Sequence, residues 1–164
     1  MKSLRLALIS LLIALTAIGA AIKIPAVIAS VALDSFPALL AAALLGGPAG
    51  AAVGAFGHLL SAFLGGMPMG PFHGIIAIEM AILAFVFSLI YRRGNKRLAG
   101  MVFFLGNALA APVPFIFFMG TSFYFSIVGS LMIGSAINTA IALVLIPRLA
   151  HLLKPILVKA SAHR

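Results

Sequence analysis

Two carboxylates, four histidines and a handful of amides and hydroxyls are all that this chain offers for acid–base, metal or ligand chemistry. Asp34 and Glu79 are the only acids in 164 residues, against eleven Lys and Arg, for a net charge of +9. Glu79 stands in the middle of an uncharged stretch that ends at Arg92. An ionisable side chain inside a hydrophobic span is costly to keep there, so its position points to a cavity or a solute pathway. Phe72, Ile75, Ile76 and Glu79 recur at helical spacing and share one face, which sets an aromatic ring toward the mouth above the carboxyl. Asn107 is followed by Pro112-Val113-Pro114, whose prolines free backbone carbonyls and kink a helix. Tyr124, Leu131, Ser135 and Asn138 fall on one stripe of the next apolar segment. Asn107 and Asn138 together suit a neutral ligand that both gives and accepts hydrogen bonds, or they join helices to one another.

Other chemistries are poorly supplied. No cysteine is present, so disulfides, thiolate metal sites and cysteine nucleophiles are ruled out. His58 and His73 have no neighbouring carboxylate in sequence, which is a weak pattern for a metal; we expect no metal and no cofactor. His73 reads as a ligand contact and His58 as structural, while His151 and His163 belong to the tail. There is no phosphate-binding G-x-x-x-x-G-K-[ST], no G-x-S-x-G and no H-E-x-x-H. The chain is therefore not expected to be an enzyme, and uphill transport would draw on a partner ATPase or an ion gradient. An interrupted inverted repeat, as found in many secondary transporters, is not visible.

The elements that must position these residues are membrane helices. Hydrophobic residues make up 64% of the chain and charged ones 8%, and the mean hydropathy is +1.28, which excludes a water-soluble globular domain. The basic residues flank apolar runs, an arrangement suited to lipid headgroups or a cytoplasmic protein and not to nucleic acid. The pattern predicts a single all-α membrane domain over 1–164. Its six helices fall at about 6–22, 34–46, 49–64, 72–91, 98–119 and 123–147, followed by a basic tail, 148–164, that forms a short amphipathic segment on the membrane surface. The first run reads as a span and not a cleaved signal. Breaks are expected at Gly46-Gly47-Pro48 and at Gly65-Gly66-Met67-Pro68-Met69-Gly70-Pro71. Six spans place Lys2, Arg5, Arg92, Arg93, Lys96, Arg97 and the tail on one side, with only Lys23 opposite, so both termini are expected in the cytoplasm. Gly46, Gly50 and Gly54, with Gly47, Ala51 and Ala55 beside them, form small-residue ridges suited to close helix packing within the bundle. Ser10 and Ala14 repeat the spacing on the first helix, where they can face a partner.

Val31-Ala32-Leu33-Asp34-Ser35-Phe36-Pro37-Ala38-Leu39-Leu40, running into Leu45-Gly46-Gly47-Pro48-Ala49-Gly50-Ala51-Ala52-Val53-Gly54, resembles the second and third helices of substrate-binding S components of energy-coupling factor (ECF) vitamin transporters. The size, the helix count and the Ser10-x-x-x-Ala14 ridge agree, with Ser in place of the usual first Ala. The resemblance implies a multi-pass protein of a prokaryotic plasma membrane. Such a protein binds a vitamin outside, docks on a membrane coupling subunit with two cytosolic ATPases, and topples to release its ligand inside. It also implies that Ser10 and Ala14 meet the coupling subunit and that the pocket lies near the outer face between helices four to six. Glu79, Asn107, Tyr124 and Asn138 match those helices by location, and His73, Lys23 and Asp34 match the capping region, where Lys23 and Asp34 can instead pair with each other. Ala32-Leu33-Asp34-Ser35-Phe36-Pro37, Gly57-His58-Leu59-Leu60 and Gly66-Met67-Pro68-Met69-Gly70 look most like members assigned to α-ribazole, a cobalamin precursor. Phe and Tyr can stack on a benzimidazole, and Glu79 and the asparagines can bind its riboside hydroxyls. Pantothenate or another vitamin is the alternative substrate. An ion-gradient-driven carrier is the alternative class, ahead of a membrane-embedded enzyme or a purely structural subunit.

Overall fold

The computed structural model describes residues 2–27 and 30–162, with side chains as far as Leu153. Helices dominate: α1 (Lys2–Ala21), α2 (Phe36–Leu44), α3 (Gly47–Leu64), α4 (His73–Arg92), α5 (Lys96–Leu105), α6 (Pro114–Met119) and α7 (Thr121–Ala162). Among the described residues, five stretches are long and apolar enough to cross a bilayer: 2–21, 47–64, 70–92, 96–119 and 121–153. The expected span at 34–46 is shorter than the sequence pattern suggested. Its nine helical residues, α2, reach only about 14 Å, against roughly 30 Å of hydrocarbon.

What replaces the missing length is a hairpin. Strands β1 (Lys23–Pro25) and β2 (Ser30–Ala32) pair antiparallel, with Lys23 opposite Ala32 and Pro25 opposite Ser30. The return strand is held at the end of α1, where the Leu33 N–H donates to the Gly19 carbonyl at 3.1 Å. A side chain at Gly19 would overlap the Leu33 carbonyl, so glycine is what lets the chain come this close. Val27 and Val31 lie over Gly129 and Gly134 of α7.

α2 sits in the centre of the bundle, with Leu39, Leu40, Ala41 and Ala42 all at or below 1% exposure. Its polar backbone ends are closed by side chains from other helices. At the start, Asn138 Oδ1 accepts the N–H groups of Ser35 (3.1 Å) and Phe36 (2.9 Å), and Asn138 Nδ2 donates to the carbonyls of Ala32 and Gly134, both at 2.9 Å. At the far end the Arg5 guanidinium donates to the Leu45 carbonyl at 2.8 Å, and Ser88 Oγ donates to the Ala42 carbonyl at 2.6 Å. At the buried start and in the last turn, capping by the distant Asn138 and Ser88 substitutes for water, which a membrane interior lacks, while the Arg5 bond at the far end is exposed.

The small-residue ridge of α3 packs inside the bundle. A Cβ at Gly50 would come within 2.5 Å of the Ala42 Cβ on α2, and one at Gly54 within 2.7 Å of the Met80 carbonyl on α4. Phe87, Phe103, Leu39, Leu40 and Ile146 then tie α2, α4, α5 and α7 into one core.

Two further expectations are corrected. The predicted helix 98–119 is not continuous: α5 gives way to a π-helical segment, Gly106–Ala110, then to a turn, and only then to α6. The cause is the expected proline pair. Pro112 and Pro114 have no N–H to give, and the register slips so that Ala111 N–H bonds to the Gly106 carbonyl. The separate basic tail is also absent. α7 runs 42 residues through Pro147 to Ala162, about 63 Å, so Arg148 continues the sixth helix instead of starting a surface segment; His163 and Arg164 lie outside the described residues.

These contacts predict that Asn138→Leu destabilises the protein by about 3 kcal/mol or more, because it strands at least two buried N–H groups. Thermal unfolding in detergent checks this, and an unchanged midpoint would remove Asn138 as the anchor of α2.

Candidate ligand site beside Glu79

Four elements meet around Glu79. α4 contributes Ile76 and Glu79, one turn apart; the loop before it contributes Met69; the proline-loosened stretch contributes Asn107, Ala111, Pro112 and Phe115; α7 contributes Ile127 and Leu131. They enclose a cavity of about 100 Å³ with largely apolar walls. Glu79 Oε2 is buried and has no hydrogen-bond partner. An unpaired carboxyl oxygen in such a place lacks the compensation that buried polar groups normally find, which makes Glu79 the candidate centre of the site.

Aromatic rings close the side of the cavity near the 65–72 loop. Phe115 is 2% exposed and meets Phe72 edge-on at 6.0 Å, while Phe72 also lies 5.1 Å from Phe118. Phe72, expected above the carboxyl, packs on Phe115 and does not itself line the cavity. Tyr124 stands next to the cavity without lining it. Its hydroxyl donates at 3.1 Å to the Leu109 carbonyl, one of the groups released by the π register. Ser135 does likewise for the Phe104 carbonyl at 3.3 Å.

The remaining sequence candidates lie elsewhere. Asn138 has both amide hydrogens and both acceptor positions engaged by backbone and is 1% exposed, so it joins elements and has no capacity left for a ligand. Lys23 is exposed on β1 and does not pair with Asp34, whose carboxylate accepts the Ser61 hydroxyl at 2.5 Å. His73 is buried, with its two ring nitrogens at 3.1 Å from His58 Nε2 and 3.4 Å from the Met69 N–H. With one proton per ring the directions follow. Met69 N–H donates to His73 Nε2, His73 Nδ1–H donates to His58 Nε2, and His58 also lines a water-sized space of about 10 Å³ with Asp34 and Ser35. Among the described residues no three side chains are grouped to hold a metal ion.

Helical spacing puts Ile76 on the face of Glu79 and Leu131 on the stripe of Tyr124, and Met69 stands in the expected loop, but sequence reasoning missed Phe115 and Ile127, which also line the cavity with apolar surface. In a chain this hydrophobic such residues look the same as those facing lipid. The histidine pair was missed because its members are 15 positions apart on different helices.

A third feature lies at the other end of the bundle. Ser10 and Ala14 are both exposed on α1, and Ala14 borders an apolar groove of about 330 Å³ formed with Leu8, Leu11, Leu40, Leu44 and Leu149. The groove is near the end where Arg5 reaches Leu45.

Compared with known proteins, residues 4–160 match the family model of the substrate-specific component of ECF transporters. No curated protein and no solved structure gives a significant match.

The histidine chain makes its own prediction. His58→Ala and His73→Ala should show coupled effects on stability, with a double mutant about 1 kcal/mol less destabilised than the sum of the singles. Strict additivity in thermal melts would mean that the two rings are neighbours without a shared bond.

Proposed function

We propose what this chain, which belongs to the family of substrate-specific components of ECF transporters, does within such a complex. Its membership makes it a membrane-embedded, substrate-binding transport subunit that works with coupling and ATPase subunits. In our reading the bundle crosses the membrane six times, counting α2 and its hairpin as one pass, with both termini in the cytoplasm. Arg5, the α2–α3 junction and Arg92 are gathered at one end, and Arg93, Lys96 and Arg97 follow Arg92 directly, which fits the retention of Lys and Arg inside. The Glu79 cavity then lies toward the outer face, about two helical turns below the start of α4.

The single observation that carries the substrate reading is the unpartnered Oε2 of Glu79 in an aromatic-walled cavity shared with Asn107. Such a site favours a flat, uncharged ring system with hydroxyl or N–H donors. A benzimidazole riboside, α-ribazole, meets that description: its rings suit Phe115 and its hydroxyls suit the carboxylate and the amide. Pantothenate suits it less well, because its carboxylate would meet Glu79 and no Lys, Arg or His lines the cavity. The cavity is smaller than the few hundred Å³ usual for ligand pockets, so binding includes an outward movement of the loop that carries Met69. Tyr124 and Phe72 support the walls. Ser10, Ala14 and the adjoining groove form the docking face for the coupling subunit, which supplies the ATPases.

Equilibrium binding of α-ribazole to the purified protein tests this. Glu79→Gln and Asn107→Ala are each expected to weaken binding about tenfold or more, 1.4 kcal/mol per decade, with the helical content kept. Wild-type affinity in both variants would displace the site. Ala14→Trp is expected to leave binding intact and to abolish uptake in the assembled complex; normal uptake would move the docking face off α1.

A further inference from the structure

Glu79 has a second cavity on its other side. Ile82 and Leu83 of α4 and Gly106, Ala110 and Ala111 of the loosened stretch enclose about 180 Å³, and Glu79 is the polar side chain among them. Ile82 is 56% exposed on the outside of the bundle, as is Ile78 one turn before it at 63%. Ala110 is exposed as well. The opening of this cleft therefore faces the region where lipid chains lie.

The backbone explains why a cleft forms here. Gly106 lets the two helices close tightly, since a Cβ there would stand 2.5 Å from Leu83 Cδ2. Beyond it the π register and the two prolines turn the chain away from α4, and the small side chains of Ala110 and Ala111 do not refill the gap. Glu79 and Ala111 line both cavities, so the inner chamber and the outward-facing cleft adjoin at these two residues.

We propose that the Glu79 chamber has a lateral mouth between Ile82 and Ala110, through which an uncharged molecule dissolved in the lipid reaches the carboxyl without passing the outer loops. The proposal rests on the preceding reading only in taking the inner chamber as the ligand site. It adds a chemical restriction: molecules using this route partition into hydrocarbon and present a hydrogen-bond donor to Glu79.

The test uses a probe of that class, dicyclohexylcarbodiimide, on the full-length protein in phosphatidylcholine vesicles. The protonated carboxyl of Glu79 adds across one C=N bond of the reagent, its oxygen bonding to the central carbon and its proton passing to nitrogen. The acyl group then migrates to nitrogen, so the whole reagent mass is retained as an N-acylurea on Glu79 and nothing leaves. Peptide mass spectrometry reads the adduct, with Glu79→Gln fixing its position. The expected result is modification of Glu79 by this reagent and about tenfold slower modification in Ala110→Trp or Ile82→Trp, each of which fills the mouth. Absence of the adduct overturns the proposal. So does an unchanged rate in both tryptophan variants while they elute as monodisperse, helical protein, because the reagent would then be entering from the outer loops. Addition of α-ribazole separates the two readings: protection of Glu79 supports both, whereas modification that stays sensitive to the tryptophans but is not protected leaves the mouth standing and removes α-ribazole as the ligand.

Discussion

The bundle is organised around a helix too short for the membrane it occupies. In hydrocarbon each unsatisfied backbone N–H or C=O costs several kcal/mol, and α2 begins inside the protein and ends at a half-buried turn. Its start is closed by Asn138 from α7, its end by Arg5 from α1, and its last turn by Ser88 from α4. Three neighbours thus each give one polar side chain to this helix or to the residue that caps it. The remaining requirement, a chain that comes back up from α1 without exposed backbone, is met by the β1–β2 hairpin laid over α7. Helix packing in a membrane has little hydrophobic drive, so these polar closures fix the position of α2 while the glycines of α3 let its neighbours approach it.

That arrangement divides the molecule into unlike halves. Around α2, α3 and α4 the contacts are between backbones, with Gly50 on Ala42 and Gly54 on the Met80 carbonyl, and such packing leaves little room for adjustment. On the other side, α5 and α6 are separated by a π segment and two prolines whose released carbonyls depend on Tyr124 and Ser135. Both cavities that contain Glu79 lie along this second half. π segments and proline breaks are tolerated at membrane depth where they border protein cavities, and here the loosening is what creates the space.

Much of this was readable before any coordinates. Glu79 and Asn107 stand out because a polar residue in an apolar span carries information, and both line one cavity. Pro112 and Pro114 announced the break in the fifth helix, although not its π form, which depends on how the freed carbonyls find partners. Asn138 carried the same polar signal as Asn107, yet its amide closes the start of α2. Nothing in a single sequence tells which amide faces a cavity and which faces a backbone 102 residues away. The hairpin was invisible because residues 23–32 hold no Asn-Gly or Asp-Gly turn, and β2 lies within what reads as an apolar approach to a helix. Arg148 reads as the end of a helix by its charge, yet α7 and its apolar stretch run on past it. Charge tells where lipid stops, and a helix continues as long as its own hydrogen bonds do.

The two ends of the molecule are physically continuous through α2. Leu40 and Leu44 wall the groove beside Ala14, and the chain just before the same helix carries Asp34, bonded to Ser61 on α3. Asp34 and His58 share the water-sized space, His58 meets His73, and His73 receives the Met69 N–H. Met69 in turn lines the Glu79 cavity. Each link is a buried or half-buried contact between named atoms or facing walls, and the helix between them is fixed at both ends. Under the proposed roles, a partner pressing on the groove acts on a helix whose other end is joined by hydrogen bonds and a shared space to the loop that carries Met69. Coupling between two sites needs an element that both of them bias, and α2 is the element in this fold placed to be biased by both.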